Sequence, residues 1–282
     1  MLAAIRRGLA VKRLLRVPFD QYNEDRHIRL TSSSLREFAA CPAAFKARLD
    51  SGEVKPRTQA MALGSAIHSF LLDDEGEFEA HYKFLDPPIN PRTGNPYGKE
   101  TKAYSEWHEE HSQGDDVTVL TLDDAALIRE CHTVASAHTV VQDLMNGDEQ
   151  TEGTAYAAIH GVECQCRPDL YRYDIGTLVD LKTCDTLDWF EKSALGLRGY
   201  AYQLAFYEAV LGGYGLPVSA SYIIAIQTSS PVMCGVWRVD PDLLAELAFT
   251  VDSDIDEYRH AIETDTWQTG YETMRMLGGG SI

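Results

Sequence analysis

The chain has 282 residues, with 44% hydrophobic and 24% charged residues, values that are ordinary for a globular protein and exclude a disordered or fibrous chain. A formal net charge of −18 excludes a surface that attracts nucleic acid everywhere. A local basic channel would still suffice to bind nucleic acid, because salt screens the acidic groups that lie more than about 8 Å from the bound phosphates. No apolar run approaches the length of a membrane span, so we predict no membrane contact.

The first 17 residues are basic and mildly amphipathic and contain no acid. They lack a long uncharged core and a small-residue cleavage site, so they do not resemble a secretory signal. They are either an arm that contacts nucleic acid or a frayed leader. We predict a basic N-terminal extension over residues 1–26, a single domain over 27–270 and a flexible tail over 271–282.

The first half of the chain has the periodicity of helices. The run of Thr and Ser at 31–34 offers an N-cap, with Glu37 completing a capping box, for a helix over 35–49 that Pro42 should kink or divide. The same reasoning predicts three further helices, over residues 58–72, 101–112 and 123–146. A Pro-rich loop is predicted over residues 86–96.

The second half changes to the period of two that is typical of strands. A long helix between two of these strands predicts a crossover and therefore a mixed sheet. We predict one α/β domain, in which a mixed β-sheet core with flanking helices follows a helical N-terminal half. The predicted strands are 155–159, 162–173, 177–183, 219–228 and 232–239, and the predicted helices are 189–211 and 241–264.

The most informative feature is an acid-x-lysine pair, Asp180 and Lys182, on an apolar strand one short turn after Asp169. Asp180 and Lys182 share one face of the strand, about 7 Å apart. A two-residue loop at 174–175 places Asp169 opposite Asp180, whereas a loop at 175–176 places it opposite Lys182. Both registers bring the three side chains together, and a three-residue loop would separate them.

The energy of this cluster indicates that its charge is compensated. Two carboxylates about 4 Å apart repel by roughly 4 kcal/mol at an effective dielectric near 20. Either one acid is protonated, or Lys182 offsets the pair, or a divalent cation lies between them. Oxygen ligands favour Mg²⁺ or Mn²⁺ over zinc. The alternative is an ion pair on a solvated face, against which the apolar neighbours Leu178, Val179 and Leu181 argue.

Four other residues could carry chemistry. Gln203 and Tyr207 share one face of the crossover helix, where an amide could hold a phosphate oxygen or a water. His68 shares a helix face with Gly64, whose cost of about 1 kcal/mol within a helix implies a packing reason. Glu152 precedes the first strand and could complete the acid cluster. Each has a structural alternative: Gln203 could be exposed beside a packed Tyr207, His68 could be structural and Glu152 could be a solvated loop charge.

In this order the motifs resemble those of the PD-(D/E)xK nuclease superfamily, and within it the RecE-type exonucleases, the exodeoxyribonuclease VIII family of phages and prophages. The resemblance covers most of residues 27–212. The segments that carry it are LTSSSL at 30–35, CPAAFK at 41–46, ALGSAIH at 62–68, the loop at 87–102, CRPD at 166–169, LVDLKT at 178–183 and GYAYQLAFY at 199–207.

The resemblance implies a restriction-endonuclease-like fold and a role for each candidate. His68, Asp169 and Asp180 would bind the metal together with the carbonyl of Leu181, and Lys182 would position and help deprotonate the attacking water. The side chains implied to support the catalytic site are Gln203, Tyr207 and, as an extra acid, Glu152.

The implied reaction is Mg²⁺-dependent hydrolysis of linear double-stranded DNA from its 5′ end, with Mn²⁺ expected to substitute. It would leave a 3′ overhang for a single-strand annealing protein. Members of this group form rings, which implies a toroidal homo-oligomer, either a trimer or a tetramer.

The six cysteines contain no CxxC pair and no disulfide framework, so we interpret them as reduced thiols in a cytoplasmic protein. Iron–sulfur relatives in the superfamily use one early cysteine and three late ones. Cys41 could be the early one, but Cys234 is the only cysteine after residue 184. We therefore predict no iron–sulfur cluster.

Three other functions stay open. A nuclease of the same fold could act on single strands, nicks or ends in repair or defence. A non-catalytic DNA-binding or assembly scaffold would predict the loss of an acid or the lysine, yet Asp169, Asp180 and Lys182 are all present. An acidic α/β protein with an incidental ion-pair cluster would bind metal weakly.

Overall fold

The computed structural model describes residues 12–52, 58–72, 75–112, 117–195 and 199–274. Within these residues the helices are α1 Phe19–Glu24, α2 Ser32–Ala40, α3 Pro42–Ser51, α4 Gln59–Leu72, α5 Glu75–His81, α6 Lys102–Ser112, α7 Leu122–Ala137, α8 Thr139–Leu144, α9 Phe190–Leu195, α10 Tyr200–Tyr214 and α11 Pro241–Thr264. The strands are β1 Tyr82–Phe84, β2 Thr118–Leu120, β3 Glu149–Thr151, β4 Ala155–Ile159, β5 Val162–Cys166, β6 Leu170–Arg172, β7 Thr177–Cys184, β8 Ala220–Gln227 and β9 Met233–Arg238. Among the described helices, none is both long and apolar enough to cross a membrane.

The centre of the fold is a five-stranded mixed sheet in the order β3-β6-β7-β8-β9. Strands β7 and β8 are parallel and are connected through α9 and α10, whereas the other neighbours are antiparallel. The predicted α/β class, crossover and second hairpin are therefore confirmed. The pairs β1-β2 and β4-β5 form separate two-stranded sheets.

Strand β7 is central to the sheet and alternates between two hydrophobic layers. Val179 and Leu181 pack in the layer that includes side chains of α4 and α7. Leu178 packs in the opposite layer, with side chains of α2, α10 and α11. Asp180 and Lys182 have the same parity as Leu178, so they project toward the layer of α10.

The hairpin between β6 and β7 has one of the two predicted registers. Leu170 pairs with Val179 and Arg172 pairs with Thr177, which is the register of a two-residue loop at 174–175. The Arg172 guanidinium holds the turn, because it donates at 2.8 and 2.7 Å to the two carboxylate oxygens of Asp174. Extending this register by one residue places Asp169 opposite Asp180.

The prediction of one strand over 162–173 is wrong. β5 ends at Cys166 and pairs with β4, while β6 begins at Leu170 and pairs with β3 and β7. Pro168 lies in the gap, where it has no N–H to donate to a ladder. The chain therefore leaves one sheet and enters the other immediately before Asp169.

Two predicted long helices are also wrong, because each is divided. Gly199 adopts a left-handed conformation (φ 56°) between α9 and α10, and α10 then continues past the predicted end to Tyr214. His138 is extended between α7 and α8, where a β-branched run follows it. Pro42 begins α3 and so divides the first helix as predicted. The N-cap of α2 is Thr31, the first residue of the run at 31–34.

Residues 12–26, which belong to the predicted N-terminal extension, pack against the domain. Leu14 is buried, and Leu15 forms an antiparallel bridge with Thr154. Arg13 pairs with Asp148 at 2.7 Å. The part of the basic segment before residue 12 lies outside the described residues.

Replacing Asp174 with Asn should lower the melting temperature at pH 7, because Arg172 would lose its carboxylate partner. Hydrogen bonds from Arg172 hold the pKa of Asp174 at about 2, below the value of about 3.9 in an unfolded chain. The stabilisation is present above about pH 4 and is lost as the pH falls through about 2. The difference in melting temperature between Asp174→Asn and the wild type should therefore shrink as the pH is lowered from 7 to 2.

Asp188→Asn, at an exposed position between β7 and α9, is the control for this measurement. A difference for Asp174→Asn that stays constant down to pH 2 would contradict the role of the Arg172–Asp174 pair.

Candidate active site

Helix α4 carries His68 to the sheet because it can approach β7 closely. A Cβ atom on Gly64 would lie 3.0 Å from Oγ1 of Thr183, so the glycine has the packing reason that the sequence implied. One helical turn later, Nδ1 of His68 lies 3.7 Å from Oδ2 of Asp169. The structure thus brings together the histidine and the first acid.

Asp169 occupies the position that a longer β6 would have filled. β6 begins only at Leu170, and Oδ2 of Asp169 accepts a hydrogen bond of 2.5 Å from the backbone N–H of Leu181. The N–H and C=O of a strand residue point to the same side, so the carbonyl of Leu181 is directed to the same edge. The predicted acid and the predicted carbonyl ligand therefore lie on one edge of β7.

Asp180 is the most deeply buried member of the cluster, with 1% of its surface exposed. Nζ of Lys182 lies 2.6 Å from its Oδ2 and forms a contact ion pair with it. Nε2 of Gln203 donates to Oδ1 at 3.1 Å and to the hydroxyl of Tyr207 at 3.0 Å. Gln203 and Tyr207 therefore lie on one face of α10, next to Asp180.

Burial and charge together set the pKa values of this carboxylate–lysine cluster, defined as Asp169, Asp180 and Lys182. Burial raises the pKa of Asp180 to about 6, with a further contribution from Asp169 and opposition from Lys182. Burial also raises the pKa of Asp169. Burial lowers the pKa of Lys182, but Asp180 and Asp169 outweigh it and the net shift is upward. One ammonium thus serves two buried acids.

Glu152 reaches the same neighbourhood, but its carboxylate has another partner. Its backbone N–H donates to the carbonyl of Asp169 at 3.1 Å, while Nε of Arg167 donates to its Oε2 at 2.6 Å. Glu152 also adopts a positive φ of 50°, which is uncommon outside glycine. The structure therefore places Glu152 beside Asp169 as the partner of Arg167.

Sequence reasoning missed a role for Arg167 and for Tyr200. The ring centroid of Tyr200 lies 5.1 Å from Nζ of Lys182. Tyr200 precedes Gln203 by three residues and Tyr207 by seven, so helical spacing could have placed it on the same face. Nothing local in the sequence indicates that Arg167 pairs with Glu152.

The donors of the cluster fit a hard divalent cation. They are the carboxylate oxygens of Asp169 and Asp180, with the carbonyl oxygen of Leu181 and the imidazole of His68 beside them. Among the residues that the structure describes, however, no three His, Cys, Asp or Glu side chains converge in an arrangement that could hold a metal ion. Lys182 lies against Asp180 instead, so cation binding requires the ammonium to move.

The sheet order, the parallel crossover and the carboxylate–lysine cluster define a nuclease fold of the PD-(D/E)xK class. The chain belongs to the family described as "PDDEXK-like domain of unknown function (DUF3799)", whose model matches residues 31–276. This match confirms the superfamily that the sequence motifs resemble. A search of the curated proteins finds no match to the chain.

A solved structure shares this fold at low sequence identity. A crystal structure named "Putative exonuclease" from Eubacterium rectale has a TM-score of 0.64 and 13% identity, over 95% of this chain and 97% of that chain. A phage-related exonuclease from Haemophilus somnus 129PT is 14% identical over 87% of this chain and 100% of that chain. Its TM-score of 0.34 is too low to support an argument. The first likeness establishes the fold alone.

Mg²⁺ or Mn²⁺ should raise the melting temperature of the wild type at pH 7.5. A cation at about 100 times its Kd adds about 2.7 kcal/mol to the free energy of unfolding. Since a protonated carboxyl does not bind a cation and the pKa of Asp180 is about 6, the gain should disappear as the pH falls below about 6. Asp169→Asn and Asp180→Asn should lose the gain at every pH, and an unchanged gain would contradict their role as ligands.

Replacing Gln203 with Leu should raise the pH at which this cation effect appears. The substitution leaves Oδ1 of Asp180 buried without its donor, which favours the protonated acid. A loss of about 1.4 kcal/mol corresponds to a shift of about one pH unit. Tyr207→Phe, which keeps the bond between Gln203 and Asp180, should shift the midpoint less, and equal shifts would refute this assignment.

Proposed function

We propose that this protein is a metal-dependent exodeoxyribonuclease that degrades linear double-stranded DNA from the 5′ end and leaves a 3′ single-stranded overhang. The observation that carries the proposal is the carboxylate–lysine cluster, in which the buried carboxylate of Asp180 contacts the ammonium of Lys182 and lies opposite Asp169. Apolar residues in place of a poorly solvated ion pair are often neutral or stabilising, so packing does not explain two acids beside one lysine. The cluster is instead suited to a charged ligand and reactant.

The proposed ligands of the cation are Asp169, Asp180, the carbonyl of Leu181 and His68. A bound divalent cation would supply positive charge that lowers the pKa of water and offsets the charge that develops on the phosphate. The N–H of Leu181 would hold the carboxylate of Asp169 in place. Gln203 would fix the rotamer of Asp180 through Oδ1, and Oδ2 would bind the cation once the ammonium of Lys182 has moved away.

Lys182 is the proposed proton-handling group. Its ammonium can donate to a phosphate oxygen or hold a water for attack. When it leaves Asp180, it loses the interaction that raises its pKa most and keeps the burial that lowers it. Lys182 would then be able to accept a proton from the attacking water.

Glu152, Arg167, Gln203 and Tyr207 would position these groups. Burial raises the pKa of Asp169, and the charge of Arg167 opposes this rise together with Lys182 and the Leu181 N–H, while Glu152 holds Arg167. Tyr207 accepts the second N–H of Gln203 and so fixes the plane of the amide. In this proposal Glu152 acts through Arg167 rather than as a further metal ligand.

We also propose the setting in which the activity is used. The protein would act in the cytoplasm of a bacterial or phage-infected cell, as a toroidal trimer or tetramer that encloses DNA. Its 3′ overhang would be passed to a single-strand annealing protein for recombination. The net charge of −18 supports a small local contact surface for DNA rather than a wholly basic one.

Linear duplex DNA labelled at the 5′ or the 3′ end tests the function and its polarity together. In Mg²⁺ the wild type should release the 5′ label first, and EDTA should abolish release. Lys182→Ala should reduce the rate by at least a hundredfold, because the proposed proton acceptor is lost. Lys83→Ala, at an exposed position of β1, is the control and should keep wild-type activity.

Other outcomes of this assay decide between the alternatives. First release of the 3′ label would reverse the polarity, and hydrolysis of single strands alone would favour a repair or defence nuclease. DNA binding without hydrolysis in Mg²⁺ or Mn²⁺ would refute the enzyme and favour a scaffold.

A further inference from the structure

A pocket of about 450 Å³ opens at the surface between the end of α4 and the helices α7 and α8. Its volume lies in the range of small-molecule sites, about 300–1,000 Å³. Leu71, Val141 and Met145 form its apolar floor. No role in the cluster or in hydrolysis has been assigned to these residues.

The pocket lies on the side of β7 that α4 and α7 cover, whereas Asp180 and Lys182 project toward α10 on the other side. Asp169 is the member of the cluster that links the two sides. Leu71 follows His68 by one helical turn on the same face of α4, a rise of about 5 Å. A narrow void of about 10 Å³ shares the floor residues and has Asp169 and Leu181 in its wall. A void of this size holds one water at most. Leu71, Val141 and Met145 line both the void and the pocket, so these side chains lie between the pocket and the void that Asp169 borders.

The rim of the pocket is polar and carries no acid or base of the Asp, Glu, Lys or Arg type among the described lining residues. It consists of His132, Ser136, Gln142 and Asn146. Gln142 donates to the backbone carbonyl of Ser136 at 2.8 Å, and His132 lies 3.4 Å from the Ser136 hydroxyl. Amide, hydroxyl and imidazole groups offer both donors and acceptors. Such a rim suits a neutral heteroaromatic edge and not a phosphate.

We propose that this pocket binds a nucleobase, an inference that rests on the proposed function. Leu71, Val141 and Met145 pack against the face of the base, and the rim bonds to its edge. Unstacked bases are held in this way, between apolar side chains with hydrogen bonds to their edges. The flexible thioether of Met145 adapts the floor to bases of different size. The base belongs either to the strand bound at the cluster or to a nucleoside free in solution.

Fluorescence of 2-aminopurine distinguishes these two sources. The analogue is placed in turn at the first four positions from the 5′ end of a duplex, with Lys182→Ala protein in Mg²⁺ to prevent hydrolysis. One position should show a saturable change in fluorescence. In a second arm, wild-type protein without DNA is titrated with free 2-aminopurine deoxyriboside, and binding there identifies a site for free nucleosides.

Ser136→Leu, which places bulk at the rim, should weaken the binding at least tenfold. Thr133→Leu adds similar bulk at an exposed position of α7 outside the pocket and should not change it. Asn146→Leu serves as a second pocket variant if Ser136→Leu does not fold, as judged by circular dichroism.

The pocket and the function can fail separately. Saturable nucleoside binding that Ser136→Leu weakens, in a protein that hydrolyses no DNA, would keep the pocket and refute the nuclease. Hydrolysis of DNA with no fluorescence change in either arm, or with equal binding by the Ser136→Leu and Thr133→Leu proteins, would overturn the nucleobase site.

Discussion

The fold is organised around two carboxylates, one buried and one largely buried, that share one ammonium at the point where β6 stops short. Asp180 lies on the central strand, and Asp169 takes the place of a missing strand residue by accepting the N–H of Leu181. Burial raises the pKa of both acids, and Lys182 compensates only one charge. Helix α4 on one side and helix α10 on the other supply the histidine and the amide that complete this arrangement.

Much of the cluster follows from local rules of geometry. The period of two along β7 predicts that Asp180 and Lys182 share a face. The turn residues at 174–176 allow two registers, both of which bring Asp169 to the pair, and the structure has the one that places it opposite Asp180. The spacing of Gln203 and Tyr207 predicts their common face. These predictions succeed because each depends on residues that are close in sequence.

The remainder depends on contacts between distant segments. The change of sheet at Pro168 follows from which strands find partners, and the pairing of Glu152 with Arg167 joins residues 15 apart in the chain. The short strand β3 has only three residues, too few to show a period. The approach of His68 to Asp169 was expected only from the resemblance to known nucleases, because nothing in α4 alone indicates which strand it meets.

The carboxylate of Asp169 also bears on the solubility of the protein. Past Val179, which pairs with Leu170, this edge of β7 has no neighbouring strand in the part of the chain that the structure describes, and such an edge invites a strand from another molecule. An inward-pointing charge is one of the devices that prevent such pairing, and Asp169 places one on the N–H of Leu181 while α4 covers Thr183. The same side chain thereby blocks strand addition at this edge, so its loss would expose a surface for self-association.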